Sequence, residues 1–195
     1  MFTEVRRGVV FTVLLMLMTG GGYHVLLWGI GQTMFREQAE GSLIYRIDGT
    51  VLGSRLIARQ FSEPRYFHPR PSAVDYNAAA TGGSNYGPSN RDFLKAVRER
   101  RDAIMREDGV TAGRIPSEMV TMSGSGMDPD IPPAAAEVQV ARVARARGVS
   151  VERVQALIRA HTAPPALGFL GRARVNVLEL NLALDETFAS AQALP

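Results

Sequence analysis

A chain of 195 residues that is 46% hydrophobic and 21% charged can hold one ordinary domain, and it lacks the long polar tracts of a disordered protein. With no cysteine, disulfides, thiolate metal sites and cysteine nucleophiles are excluded. Lys95 is the lone lysine, so arginine supplies the +3 formal charge. Arginines and acids are interleaved, as in Arg98-Glu99-Arg100-Arg101-Asp102, which argues for a solvated surface and against a nucleic-acid partner.

From Gly8 to Ile30 there is no Asp, Glu, Lys or Arg. As a helix this stretch would extend about 34 Å, enough for a hydrocarbon core of about 30 Å. Arg6 and Arg7 precede it, and the opposite flank is nearly balanced in charge. The positive-inside rule then predicts a cytoplasmic N-terminus over 1–7, a transmembrane helix over 8–30 and a single extracytoplasmic, periplasmic-side domain over 31–195. Tyr23 and Trp28 suit the outer interface. A cleaved signal peptide is the competing reading, but apolar character resumes at Val25-Leu26-Leu27-Trp28, beyond the glycines. Gly20, Gly21 and Gly22 would let another helix approach, with His24 facing that neighbour or reaching the interface.

Beyond the span, 42–46 reads as a strand, Asp48-Gly49 as a turn, and 50–52 with 55–58 as returning strand. Residues 62–90 carry prolines at 64, 69, 71 and 88 and glycines at 82, 83 and 87, which rules out a long regular element. Tyr66, Phe67, Tyr76 and Tyr86 predict that this stretch packs down onto the domain. Asn90 caps a helix of about sixteen residues with Phe93, Leu94, Val97, Ile104 and Met105 on its apolar face, ended by Gly109. Val120-Thr121-Met122 is a short strand candidate. A helix over 133–147 stops at Gly148, and Ser150 caps the next, with Val151, Val154, Leu157, Ile158 and His161 on one face. Ala163-Pro164-Pro165 breaks that helix. The run from Val175 to Leu184 fits both a strand and a helix, and reads as a short strand turning into a terminal helix. The expected fold is an α+β or α/β domain behind one N-terminal helix.

Ser123 or Ser125 with Asp128, Asp130, His68 and His161 are the residue types of a hydrolase triad, but the G-x-S-x-G pattern is absent. His161, on an apolar face, is expected to be structural. The run from Thr81 to Gly87 resembles an anion-cradling loop without the Gly-Lys-Ser/Thr ending of a P-loop. Asp128 and Asp130 are too few for a cation site, and capping of the following helix is their expected role. No catalytic residue and no metal site is assigned.

Several blocks, in order, carry a resemblance. They are Tyr66-Phe67-His68-Pro69-Arg70-Pro71-Ser72-Ala73, the Tyr76-Asn77 and Gly82-Gly83-Ser84-Asn85 run with Ser89-Asn90, and Val120-Thr121 before Ser123-Gly124-Ser125-Gly126-Met127-Asp128. To these are added 131–136 with Gln139, Arg142-Val143-Ala144 with Ala146-Arg147, and the ending from Val175-Asn176 through Asn181 to Asp185. The chain resembles the C chain of the bacterial Kdp-type potassium-transporting ATPase, the KdpC family, from the anchor to about residue 186. The resemblance implies a non-catalytic accessory subunit of the inner membrane, needed for assembly and activity of a potassium-uptake complex. Its partners would be an ATP-hydrolysing P-type subunit, whose ATP affinity it raises, and a channel-like potassium-binding subunit. ATP and potassium are thus implied for the complex, with no cofactor bound by this chain. A domain covering the outer potassium entrance, with Asp128 and Asp130 acting on arriving cations, is a further implication. The candidates for partner contact or loop architecture are Phe67, His68, Arg70, Pro71, Ser72, Asn77, Gly82, Gly83, Ser84, Asn85, Ser89, Asn90, Ser123, Ser125, Asp128, Gln139, Asn176 and Asn181. A membrane-anchored serine hydrolase and a free-standing binding domain are the alternatives.

Overall fold

The structure is a computed structural model that describes residues 1–188. The remainder of the expected domain, 189–195, lies outside the described residues. Two compact units divide the chain, one covering Met1–Leu43 and the other beginning at Ile44.

The first unit is built on helix α1, Phe2–Met34, which is long and apolar enough to cross a membrane and has no buried residue in its apolar window. Over Leu17–Gly22, where the three glycines fall, the helix widens into a π turn. Nδ1 of His24 lies 3.0 Å from the Thr19 carbonyl oxygen, and the Thr19 hydroxyl donates to the Leu15 carbonyl at 2.7 Å. The Thr19 hydroxyl and His24 Nδ1 are therefore partnered by the helix's own backbone. The short helix α2, Arg36–Ala39, follows.

The boundary between the units falls within β1 (Leu43–Tyr45), which forms the expected hairpin with β2 (Val51–Ser54). The expected continuation over 55–58 is not strand. The Ser54 hydroxyl accepts the Leu56 amide at 3.1 Å and the Ser54 carbonyl accepts that of Ile57 at 3.3 Å, so a side-chain-closed turn ends the ladder. Residues 62–90 contain no helix or strand. Tyr66 and Phe67 are buried within them and Tyr76 is half-buried, whereas Tyr86 is exposed, contrary to expectation.

Helix α3, Arg91–Asp108, begins where Asn90 Oδ1 accepts the amides of Asp92 and Phe93, and ends at Gly109 with φ of 69°. Its apolar face is only half-covered; the one buried residue is Asp108. The expected strand at 120–122 is instead the end of a one-turn helix, α4, Ser117–Val120. Pro116 opens that turn, and the Thr121 hydroxyl and amide both donate to the Ser117 carbonyl, at 2.8 and 2.9 Å. Local capping chemistry overrides the β-branched run.

Strand β3 (Asp130–Ile131) leads into α5 (Pro133–Arg147), which starts on a proline and stops at a left-handed Gly148. Helix α6 (Val151–Ala160) follows, with Ser150 at the N-cap position but without a side-chain cap bond. The carboxyl of exposed Glu152 is held low by its own backbone amide and then by the Ser150 hydroxyl. Strands β4 (Thr162–Ala163) and β5 (Arg174–Asn176) complete an antiparallel sheet in the order β3-β5-β4, with Ile131 and Thr162 both opposite Val175. Asn176 closes the strand and caps α7, Val177–Thr187, by accepting the Glu179 amide at 3.1 Å, which is the expected strand-to-helix switch. The core of this α+β domain gathers Phe67, Val140, Val143, Val154, Ile158, Val175, Leu180 and Leu184.

Candidate functional site

The segment from Pro64 to Ser72 has no strand beside it, so its buried peptide groups need partners of another kind. Side chains of α5 and α7 supply them. A primary amide offers one acceptor and two donors, and so can replace a neighbouring peptide group. Asn181 Oδ1 accepts the Phe67 amide at 2.8 Å while its Nδ2 donates to the Phe67 carbonyl at 2.9 Å. Gln139 repeats this one residue on: Oε1 accepts the His68 amide at 2.8 Å, and Nε2 donates to the His68 carbonyl at 3.2 Å. Both amide residues are fully buried.

Two arginines extend the lattice. Arg142 donates through Nε to Asp108 at 2.7 Å, through Nη1 to the Pro64 and Tyr66 carbonyls at 2.8 Å each, and through Nη2 to Gln139 Oε1 at 2.6 Å. Burial pushes the Asp108 carboxyl above its ordinary value, and the hydrogen bond and charge of Arg142 oppose that rise. Arg147 donates to the Arg65 carbonyl at 2.8 Å and to Asp185 at 2.7 Å, and Asp185 also accepts the Tyr66 hydroxyl at 2.9 Å. Burial, then the bond to Asp185, pushes the Tyr66 phenol up.

Past Pro69 the same stretch locks against the turn at 122–128. Arg70 donates to Asp128 at 3.0 Å and to the Met122 carbonyl at 3.3 Å, and the Ser123 amide donates to the Pro71 carbonyl at 3.1 Å. The Ser72 hydroxyl accepts the amides of Val74 and Tyr76, and Tyr76 returns its hydroxyl to the Arg70 carbonyl at 2.9 Å. The Gly82 amide donates to the Ser125 carbonyl at 2.9 Å. Gly126 has φ of 73°, and a methyl group there would lie 2.6 Å from Val74 Cγ2 and 2.9 Å from the Gly82 oxygen. One at Gly83 would lie 3.1 Å from the Gly124 oxygen. These glycines allow two loops to touch, and the Gly82 amide is used in that contact rather than for an anion.

The structure thus sorts the sequence candidates. Phe67, His68, Arg70, Pro71, Ser72, Gly82, Gly83, Asp128, Gln139 and Asn181 fix the loop, and Asn90 and Asn176 cap helices. Asn77 holds a local turn by accepting the Ala79 amide, and Ser125 does the same for Met127. Asn77, Asn85, Ser89 and Ser125 are exposed, and Ser84 lines a cleft of about 310 Å³ with Tyr86, Phe93, Lys95 and Glu99. Gly20 and Gly21 have open space where a Cβ would stand, and Gly22 has only the Leu17 oxygen, at 3.8 Å.

The hydrolase residues are not brought together. Among the described residues, the buried Ser123 hydroxyl has no hydrogen-bond partner. His68 Nε2 lies 3.3 Å from the Glu63 carbonyl, and His161 Nδ1 lies 3.0 Å from that of Leu157. Burial, then Arg142, lowers His68 to about 4, which makes it a poor base. Asp128 and Asp130 face Arg70 and Arg174 at 3.0 and 3.1 Å, and no cluster of three metal-binding side chains occurs among the described residues. Neither aspartate caps α5, whose N-cap is Pro132; Asp128 instead turns back to the Asp130 amide. That corrects the expected capping, because the Asp130 backbone belongs to β3. Asp108, Arg142, Arg147 and Asp185 were not singled out as site residues. For Arg142 the signal was its place three residues after Gln139, amid valines and alanines, on the buried face of α5.

The family model described as "K+-transporting ATPase, c chain" (KdpC) matches residues 5–186. The potassium-transporting ATPase KdpC subunit of Citrifermentans bemidjiense is 50% identical, over 93% of this chain and 96% of its own length. That of Gemmatimonas aurantiaca is 49% identical over 100% and 98%, and that of Geobacter sulfurreducens 49% identical over 93% and 97%.

Proposed function

The chain belongs to the KdpC family, accessory subunits of the potassium-transporting ATPase, and from that premise we propose that it presents a rigid extracytoplasmic surface that favours the ATP-binding conformation of its partners. The observation that carries this reading is the buried lattice. Reactive side chains of the loop, His68 and Arg70, and of its supports, Asp128 and Gln139, are engaged in fixing its shape. A surface of fixed shape can bind one state of a partner better than another, and a tenfold gain in ATP affinity requires only about 1.4 kcal/mol of such preference.

In this reading residues 8–30 span the inner membrane within α1, Arg6 and Arg7 hold the start in the cytoplasm, and the domain lies outside. ATP is then on the opposite side of the bilayer from most of the chain, so the effect on the ATP-hydrolysing P-type subunit is indirect. The glycine turn at Gly20, Gly21 and Gly22, next to His24, is the level at which a helix of a partner subunit approaches. The channel-like potassium-binding subunit is the second partner. Because Asp128 and Asp130 are each matched by an arginine, they are poor candidates for attracting potassium at its entrance.

The test is potassium-stimulated ATPase activity of the complex purified with and without this chain. The KM for ATP is expected to rise about tenfold in its absence and to recover on add-back. An unchanged KM and rate would sink the proposal. Topology is read with single cysteines, since the chain has none of its own. Asn85→Cys should react with an impermeant maleimide in spheroplasts and Thr3→Cys should not; the reverse pattern would overturn the orientation.

A further inference from the structure

Strands β4 and β5 pair at Ala163 and Arg174, and the residues between them, 164–173, leave the sheet as a projection. Its tip is hydrogen-bonded within itself. The Ala166 and Leu170 amides each donate to the other's carbonyl, at 2.9 and 2.8 Å, and the Gly168 amide donates to the Pro165 carbonyl at 3.0 Å. On this closed turn Leu167 is 83% exposed, Phe169 75% and Leu170 51%. Leu167 also holds φ of 54°, a left-handed conformation that a leucine adopts at a cost and a glycine freely. A strained, solvent-facing leucine has no stabilising role in the domain, so its side chain points to a use outside it. At the foot of the turn the Arg172 side chain is 89% exposed, its nearest acid being Glu118 at 3.7 Å.

We propose that this turn is a docking knob, seating Leu167, Phe169 and Leu170 in an apolar cleft with an acidic rim on another subunit of the same ATPase. The proposal rests on the subunit role argued above. Three features select that occupant. An aromatic and two leucines beside an exposed arginine match the composition of an anchoring hot spot, and the guanidinium, paired with Glu118 only at 3.7 Å and 89% exposed, keeps donors for a carboxylate opposite. The backbone is fixed in shape before contact, which favours a formed cleft; a lipid interface rewards breadth of apolar face and does not read shape. Three side chains are too small a surface to join two free proteins. They suffice for a chain already held beside its partner in the membrane, where the local concentration is high.

The experiment uses the full chain expressed with and without the other subunits. Wild type must first recover those subunits in mild detergent; failure there would refute the subunit role itself. Leu167→Gly relaxes the backbone and so stays folded, and it should recover roughly tenfold less of the partner subunits, as should Leu167→Asp. In the assembled complex Phe169→Cys should react with a maleimide about tenfold more slowly than in the chain alone, while Thr111→Cys, on an exposed loop, keeps its rate. Full recovery by Leu167→Gly, or equal labelling of residue 169 in both states, would overturn the proposal. So would two other results. One is quenching of a bimane at residue 169 by brominated lipids in vesicles holding the chain alone, which would assign the turn to the bilayer. The other is protection that rises with concentration of the chain alone, which would assign it to a second copy.

Discussion

Replacing Gln139 by leucine nearly preserves volume and removes every polar contact of a fully buried side chain. Four groups lose a partner: the His68 amide, the His68 carbonyl, the Ala135 carbonyl and Arg142 Nη2. A buried polar group left unsatisfied costs about 1–3 kcal/mol, and more when charged. His68 is only half-buried and Arg142 keeps three other bonds, so a loss of about 3–5 kcal/mol is expected rather than the upper sum. Gln139→Glu retains the acceptor for the His68 amide and for Arg142, and should lose about 1–2 kcal/mol. The assay must be local, because the single tryptophan, Trp28, lies in α1 and reports nothing of this region. Amide hydrogen exchange read on peptides covering 64–72 is suitable. At about 1.4 kcal/mol per factor of ten, Gln139→Leu should speed exchange there by at least about a hundredfold, and Gln139→Glu by about tenfold. Wild-type protection in Gln139→Leu would show that the loop is held by something other than this lattice. A glutamate variant worse than leucine would show that Arg142 does not compensate a charge at this position.

Gly126→Ala is expected to destabilise the domain by about 2–4 kcal/mol, because strain at positive φ adds to the contact with Val74, whereas Gly124→Ala, with open space around it, should shift the melting temperature little. His68 ties stability to pH: its folded value near 4 lies below the unfolded value near 6.5, so the contribution is complete above 6.5 and is lost as pH falls towards 4. About 3 kcal/mol should disappear over that window in denaturant titrations, and His68→Asn should flatten this part of the profile. Arg142→Lys keeps the charge but not the fork that spans Asp108, Gln139 and two carbonyls, and should lower stability by about 2–4 kcal/mol in the same titrations; a neutral result would mean that charge alone matters there.

What was legible in the sequence was whatever is encoded locally. Asn90 and Gly109 bracket α3, Pro133 and Gly148 bracket α5, and Asn176 marks the change from strand to helix. Each acts within a few residues of its own backbone. The misreadings came where short-range capping competed with β-propensity, at Ser54 and at Thr121. The site was half legible. Its motif residues were recognised, but contact with a partner could not be told from architecture, because Gln139 and Asn181 act 71 and 114 residues away from the peptides they hold. No spacing rule connects such positions. Nor does composition show the exposed apolar turn at 167–170, since Leu-Gly-Phe-Leu reads equally well as buried.

A segment broken by prolines at 64, 69 and 71 cannot order itself, and a strand partner would be wasted on a backbone that lacks amides at those positions. Side-chain partners remove that mismatch, because each can be placed only where an amide exists. Gln139 and Asn181 take the two successive non-proline residues, Phe67 and His68, while arginines take carbonyls, which proline retains. The consequence is dependence: the order of the loop is borrowed from α5 and α7, the helices that also form the core. Loop and core are therefore expected to yield together rather than separately, and a partner that grips the loop grips the fold of the whole domain.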